Sequence, residues 1–236
     1  MDNSLRTAYL QSMGIQPWVR RALAEEAVPV EPEDKPEAPP AAGSAGFSIA
    51  SLDWPQLESC VATCTGCDLH ETRTRTVFGT GNREADWMII GEAPGADEDR
   101  QGEPFVGRAG KLLDAMLEAI GFAREQVYIA NIVKCRPPGN RDPHADEAAA
   151  CRPYLMRQIE LIQPRLILSV GRVSAHNLLD TDQSLARLRG RTHRFGPQEI
   201  PLRVTYHPAY LLRKPAEKAK SWIDLQLLMR VLRGVA

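Results

Sequence analysis

The sequence predicts an α/β fold, a parallel sheet with helices on both of its faces. Two observations predict it. Four short apolar runs, Trp87–Gly91, Val127–Ile132, Arg165–Val170 and Leu202–Tyr206, have the length and unbroken apolar character of strands buried on both faces. Helix-period patterns cover about 108–121, 143–163 and 171–180 between them, and about 215–233 after them. Strands alternating with helices build a parallel sheet, because each return crossover needs a helix to cover the sheet. A chain of 236 residues, 43% hydrophobic, buries a sizeable core without disulfide staples.

Taken in order, the first element is a short segment from Ser4 to Arg21. Leu5, Tyr9, Leu10 and Met13 fall at near-helical spacing, Gly14 and Pro17 break the run, and Trp18 follows. Two readings stand: a docking peptide, or a helix packed back on the body. Residues 28–46, VPVEPEDKPEAPPAAGSAG, are too poor in apolar side chains to fold and read as a disordered linker. The predicted organisation is therefore a docking peptide at 1–27, the linker at 28–46 and a folded body at 47–236.

Charge divides at the same place. Residues 1–53 carry four basic and eight acidic side chains, which leaves 25 basic and 22 acidic ones in residues 54–236. The body is thus +3 and the preceding segment −4, only weak support for phosphate binding. The first twenty residues show no apolar signal region, and no stretch is apolar enough to span a membrane. A cytoplasmic protein without membrane contact is expected, and a monomer. In a reducing cytosol, clustered cysteines hold metal more often than they form disulfides.

Open parallel sheets bind ligands beyond the carboxyl ends of their strands. Those ends lead here into GEAPGADED, KCRPPGNRDP, GRVSAHN and HPAYLLR, the most unusual stretches of the chain. Cys64 and Cys67 form a CxxC, and Cys135 and Cys151 lie further on with fifteen residues between them. Four thiolates suit a [4Fe–4S] cluster or structural zinc, and spacing does not choose between them. Cys60 is expected to be a free thiol on the helix before the CxxC.

Gly91–Gly110 (GEAPGADEDRQGEPFVGRAG), Asn131–Pro143 (NIVKCRPPGNRDP) and His207–Arg213 (HPAYLLR), with the four cysteines, resemble the family 4 uracil-DNA glycosylases. The resemblance covers about residues 57–230. It implies a three-layer α/β/α sandwich around a four-stranded parallel sheet, a [4Fe–4S] cluster rather than zinc, and uracil in single- or double-stranded DNA as the substrate. It also implies roles for residues. Phe105 would stack on the flipped base. Asn131 would read the N3–H and O4 edge, with one amide offering both acceptor and donor. His207, as a neutral imidazole, would donate to uracil O2 and stabilise the leaving group.

Glu92 and Asn140 are the two candidates for activating water. Ala93 stands where the best-studied uracil glycosylases carry an aspartate, so this assignment stays open. Glu98 resembles a residue near the C5 edge of the base. Gly91, with the other turn glycines, would let the backbone approach the ligand closely. Leu211 and Leu212 are candidates for a wedge in the gap left by the flipped base, and Arg213, with Arg136 and Arg141, for phosphate contact.

Two alternatives remain beside this reading. One is a covalent uracil-DNA binder of the same superfamily, for which no inserted basic loop appears between Cys135 and Cys151. The other is a non-catalytic zinc-bearing nucleic-acid-binding module. Separately, LQSMGIQPW resembles the peptide by which the psi subunit of the bacterial replicative clamp loader docks onto its partner. That resemblance implies a protein partner for residues 4–21.

Overall fold

A computed structural model describes residues 48–234. The docking peptide and its clamp-loader partner, the linker, and Phe47 at the start of the body lie outside the described residues. Helix α1 (Trp54–Ala62) opens on a capping box: the Asp53 carboxylate accepts from the Gln56 N–H while the Gln56 side chain accepts from the Asp53 N–H. Then follow α2 (Leu69–Thr72), β1 (Thr80–Gly81), β2 (Trp87–Gly91), α3 (Ala96–Gln101), α4 (Arg108–Ala119), β3 (Tyr128–Asn131) and α5 (Ala145–Ile162). The chain continues through β4 (Leu166–Val170), α6 (Arg172–Leu179), α7 (Leu185–Leu188), β5 (His193–Phe195), β6 (Ile200–Thr205), α8 (Pro208–Arg213) and α9 (Lys218–Leu232).

The sheet order is β1-β3-β2-β4-β6-β5. The four central strands are parallel and correspond to the four predicted runs. The antiparallel edge strands β1 and β5 were not expected. At two and three residues they are too short to carry a period, and their pairing is visible only in three dimensions. Two stretches read as loops are partly helical. GEAPGADED turns into α3 and HPAYLLR into α8, each shorter than the windows in which helical periodicity shows.

Alternation along the strands sorts the core into two layers. Met88, Ile90, Ala130, Ile167 and Val204 face Ala148, Leu155 and Ile159 of α5 and Ala175 and Leu178 of α6. Trp87, Ile89, Ile129, Leu166, Leu168 and Val170 face Leu113 and Leu117 of α4 and Leu225 and Leu228 of α9. The architecture is thus the expected α/β/α sandwich. Each large apolar side chain fully buried here contributes about 1.5–3 kcal/mol. Because the four strands run parallel, their carboxyl ends open on one edge, and the chemistry-bearing loops meet there. No helix among the described residues is long and apolar enough to cross a membrane.

Candidate active site

A pocket of about 650 Å³ lies at that edge. It is lined by Glu92, Ala93, Glu98, Phe105, Asn131, Asn140, His207 and Arg213, with Asp142, Arg172 and Tyr210. Four loops, from β2, β3, β4 and β6, therefore converge on one cavity of ordinary ligand-site size. A neighbouring groove of about 710 Å³ shares Asp142, Arg172 and Val173 with it and contains none of the predicted residues.

Asn131 ends β3 with its side chain buried, and its Oδ1 has no hydrogen-bond partner among the described residues. A buried amide oxygen left unpaired costs about 1–3 kcal/mol, so its presence at a pocket points to a ligand donor. Gly91 does not line the pocket. A Cβ there would come within 2.4 Å of Asn131 Oδ1 and 2.7 Å of the Phe105 ring. The expected close approach of backbone to ligand is thus corrected: Gly91 makes room for two other pocket groups.

Phe105 has φ of 54°, an uncommon conformation for a bulky residue. Gly110 permits it, since a Cβ at Gly110 would lie 1.7 Å from the Phe105 carbonyl oxygen. The result sets the Phe105 ring beside the His207 ring, centroids 5.5 Å apart. Glu98 braces the same turn. Its Oε1 accepts from the Val106 and Gly107 N–H groups at 3.0 Å, and its Oε2 accepts from the Gly95 N–H at 3.1 Å. A carboxylate so occupied organises the two turns, and it lines the pocket as well.

His207 caps α8, and Pro208 at the first helical position supplies the fixed φ of a helix start. The His207 Nδ1 accepts the Ala209 N–H at 3.1 Å. That bond leaves Nε2 as the protonated nitrogen and a donor. Burial, with the Arg213 charge second, lowers the His207 pKa to about 4, so the ring is neutral near pH 7. Glu92 is displaced the other way. Burial first, then the charge and hydrogen bond of Asp142, raise it to about 7 against the pull of Arg172.

Asn140 also has a positive φ, 55°, and its Oδ1 accepts from Arg136 Nε at 2.7 Å. Arg141 is committed to Glu147 through two bonds of 2.8 and 2.6 Å. It therefore staples the loop before α5. Leu211 is 1% exposed and packs inside, so it is withdrawn as a wedge. Leu212 is half-buried and Arg213 exposed at the pocket side of α8.

The four cysteines meet on the other side of the loop after β3. Cys64, Cys67, Cys135 and Cys151 line one small cavity of about 20 Å³ with Val61, Arg73 and Tyr154. Three of the sulfurs receive N–H donors: Gly66 N–H to Cys64 at 3.4 Å, Lys134 N–H to Cys151 at 3.3 Å and Arg73 Nη1 to Cys135 at 3.2 Å. Among the described residues no group of three or more His, Cys, Asp or Glu side chains is set to hold a metal ion. Cys60 is exposed and apart from this cavity, as expected. The fully buried Lys134 donates from Nζ to the Asn131 carbonyl at 3.1 Å and to Gln158 Oε1 at 2.6 Å.

Sequence reasoning passed over Lys134, Asp142, Arg172 and Arg73 as site residues. Asp142 and Arg172 stood in the strand-end stretches RDP and GRVSAHN, which was their only signal; Lys134 and Arg73 act through partners distant in sequence.

The family model described as "Uracil DNA glycosylase superfamily" matches residues 78–226. A type-4 uracil-DNA glycosylase of Archaeoglobus fulgidus is 47% identical over 162 residues, 66% of this chain and 81% of that one. One from Pyrobaculum aerophilum is 41% identical over 182 residues, 75% and 93% of the two chains. One from Thermotoga maritima is 44% identical over 177 residues, 69% and 91%.

Proposed function

The chain belongs to the uracil DNA glycosylase superfamily, and from that premise we propose how its pocket removes uracil from DNA. The protein is a uracil-DNA glycosylase of DNA repair, a hydrolase of the N-glycosidic bond. The observation that carries the assignment of roles is the buried, unpartnered Oδ1 of Asn131 beside the Phe105 ring.

A flipped uracil, single-stranded or drawn from a duplex at a cost of a few kcal/mol, stacks on Phe105. Asn131 Oδ1 accepts from N3–H and its amide nitrogen donates to O4. Cytosine offers the reverse pattern and would leave both groups mismatched. His207 donates from Nε2 to O2, where negative charge grows as the base departs. Being neutral, it gives this hydrogen bond without needing a proton from solvent.

The C1′–N1 bond breaks with its electron pair passing to uracil. A water oxygen bonds to C1′, and the Glu92 carboxylate takes the water proton. With a pKa near 7, Glu92 is matched to that task. Asn140 stands at the rim as the second candidate for holding the water. Ala93 walls the pocket without functional atoms. Leu212 fills the gap in the stack, and Arg213 contacts phosphate.

Cys64, Cys67, Cys135 and Cys151 hold a [4Fe–4S] cluster. Its support is a donor set of four thiols lining one small cavity. When bound, the cluster crosslinks the CxxC loop, the loop after β3 and α5 through iron–thiolate bonds. The enzyme works in the cytosol, where thiols stay reduced.

Incubation with an oligonucleotide bearing one uracil, followed by alkali, should cut the strand at that position and leave a thymine control intact. An uncut uracil strand, single or paired with guanine, would overturn the reading.

A further inference from the structure

Besides the four cysteines, the small cavity they line takes in two cations, Arg73 and Lys134, and no carboxylate among the described residues. The two come from separate places. Arg73 follows α2, and Lys134 stands in the loop after β3. Four thiolates around an iron–sulfur core carry a net negative charge. Burying an anion is costly unless a cation or an N–H donor meets it.

Arg73 meets the centre directly. Its Nη1 donates to the Cys135 sulfur at 3.2 Å, and its Nη2 donates to the Ala62 carbonyl, at the end of α1, at 3.5 Å. Its backbone is held in place as well. Asp99, a buried carboxylate of α3, accepts from the Thr74 N–H at 2.9 Å and from the Arg75 N–H at 3.4 Å. Lys134 is buried deeper, at 1% exposure. Its backbone N–H donates to the Cys151 sulfur at 3.3 Å. Its ammonium donates to two neutral oxygens, the Asn131 carbonyl and Gln158 Oε1. Gln158 is fixed with that oxygen toward Lys134, because its Nε2 donates to the Phe78 carbonyl and the Tyr128 hydroxyl. A buried ammonium that meets only neutral oxygens calls for an anion close by, and the cysteine centre is the one its own residue touches.

We propose that Arg73 and Lys134 form a cationic cradle for the [4Fe–4S] cluster, Arg73 through its N–H···S bond to Cys135 and Lys134 as a buried counter-charge, and that together they raise the cluster's reduction potential and slow its loss. This rests on the reading of the four thiols as cluster ligands. The potential of such a cluster follows its net charge, the hydrogen bonds to its sulfurs and its exposure to solvent. Reduction adds one electron, and no bond forms or breaks. A nearby cation favours the reduced level, which is the more negative one.

The test uses the full chain with its cluster. An electrode supplies the electron, and two quantities are read: the midpoint potential, and the rate at which EDTA bleaches the visible absorbance. Arg73→Met should shift the reduction equilibrium about tenfold toward the oxidised form, about 59 mV lower for a one-electron couple. It should also speed bleaching by about tenfold. Lys134→Met should move both quantities the same way by a smaller amount. Arg73→Lys keeps the charge but not the planar fork, and should recover part of the potential. A merely structural role would lower the thermal midpoint and leave the potential in place, and that result overturns the proposal. Should Lys134→Met fold poorly, Arg73→Met, which alters a half-buried side chain, decides by itself. Should no wave fall within the electrode's range, the bleaching rates decide, and equal rates in wild type and variants count against the cradle. Iron and sulfide analysis separates the two readings. A wild-type protein without them sinks the cluster itself; a loaded wild type whose variants match it in potential and bleaching sinks only the roles of Arg73 and Lys134.

Discussion

Two cavities flank the segment that leaves β3, and they are built on opposite plans. On one side, Asn131 presents an amide oxygen with no partner, His207 keeps a free Nε2–H, and Glu92 titrates near neutrality. On the other side, three of the four cysteine sulfurs are already met by N–H donors, from Gly66, Lys134 and Arg73. The first cavity leaves hydrogen-bonding capacity unspent for a transient ligand. The second is enclosed and satisfied, as suits a permanent one. Lys134 spans both, with its backbone N–H on Cys151 and its ammonium on the Asn131 carbonyl. The difference teaches that catalysis and bracing are separate duties here, joined through one short stretch of chain.

The sharpest way to break that separation is His207→Ala. Loss of one donor at the developing charge should slow excision by about 10²–10³-fold, with DNA affinity little changed. Comparable losses in rate and affinity, measured by single-turnover assay and titration, would remove His207 from the chemistry.

Asn131→Asp replaces a donor–acceptor pair by acceptors alone. Uracil excision should drop by about 10–100-fold, and the preference over cytosine should shrink, as read by paired oligonucleotides. A uniform loss on both bases would make Asn131 a structural residue.

The wild-type pH profile should follow Glu92. Its folded pKa is raised, so the base form is lost as pH falls through about 7. Excision should fall about tenfold from ~pH 8 to ~pH 6. His207, already neutral with its pKa lowered to about 4, should add no limb in that window.

Cys151→Ala tests the bracing side. It should abolish the visible absorbance of the cluster and lower the thermal midpoint by about 5 °C or more. The surviving folded fraction should still prefer uracil to cytosine. Loss of that preference ahead of stability would merge the two duties.

Arg213→Gln carries the smallest effect. The slope of log affinity against log salt should become shallower by about one, evenly across DNA sequences. An unchanged slope would take phosphate contact away from Arg213.

The central sheet was legible because apolar strands of five or six residues leave a pattern that survives any context. The bounds of β2 agree with the sequence reading, and the other three strands differ only at their ends. The site was legible as a set of loops, since the carboxyl ends of parallel strands must share an edge. The cysteine spacing likewise marked four thiols that line one cavity. What each side chain does inside that set was not legible. Leu211 and Leu212 are neighbours in sequence, yet the turn of α8 buries one and leaves the other only half-buried. Glu92 and Glu98 are both carboxylates of one motif. Backbone N–H groups consume Glu98, while burial and Asp142 leave Glu92 poised to titrate.

By itself, then, the sequence determined the layer order, the edge at which the site lies and the residues gathered there. Those depend on periodicity and on short-range chain chemistry. Tertiary structure alone decided protonation, exposure and partnership, and with them which residues act and which brace. These depend on desolvation and on charges brought near from distant positions, as with Asp142 and Arg172, thirty residues apart along the chain and joined at the pocket wall.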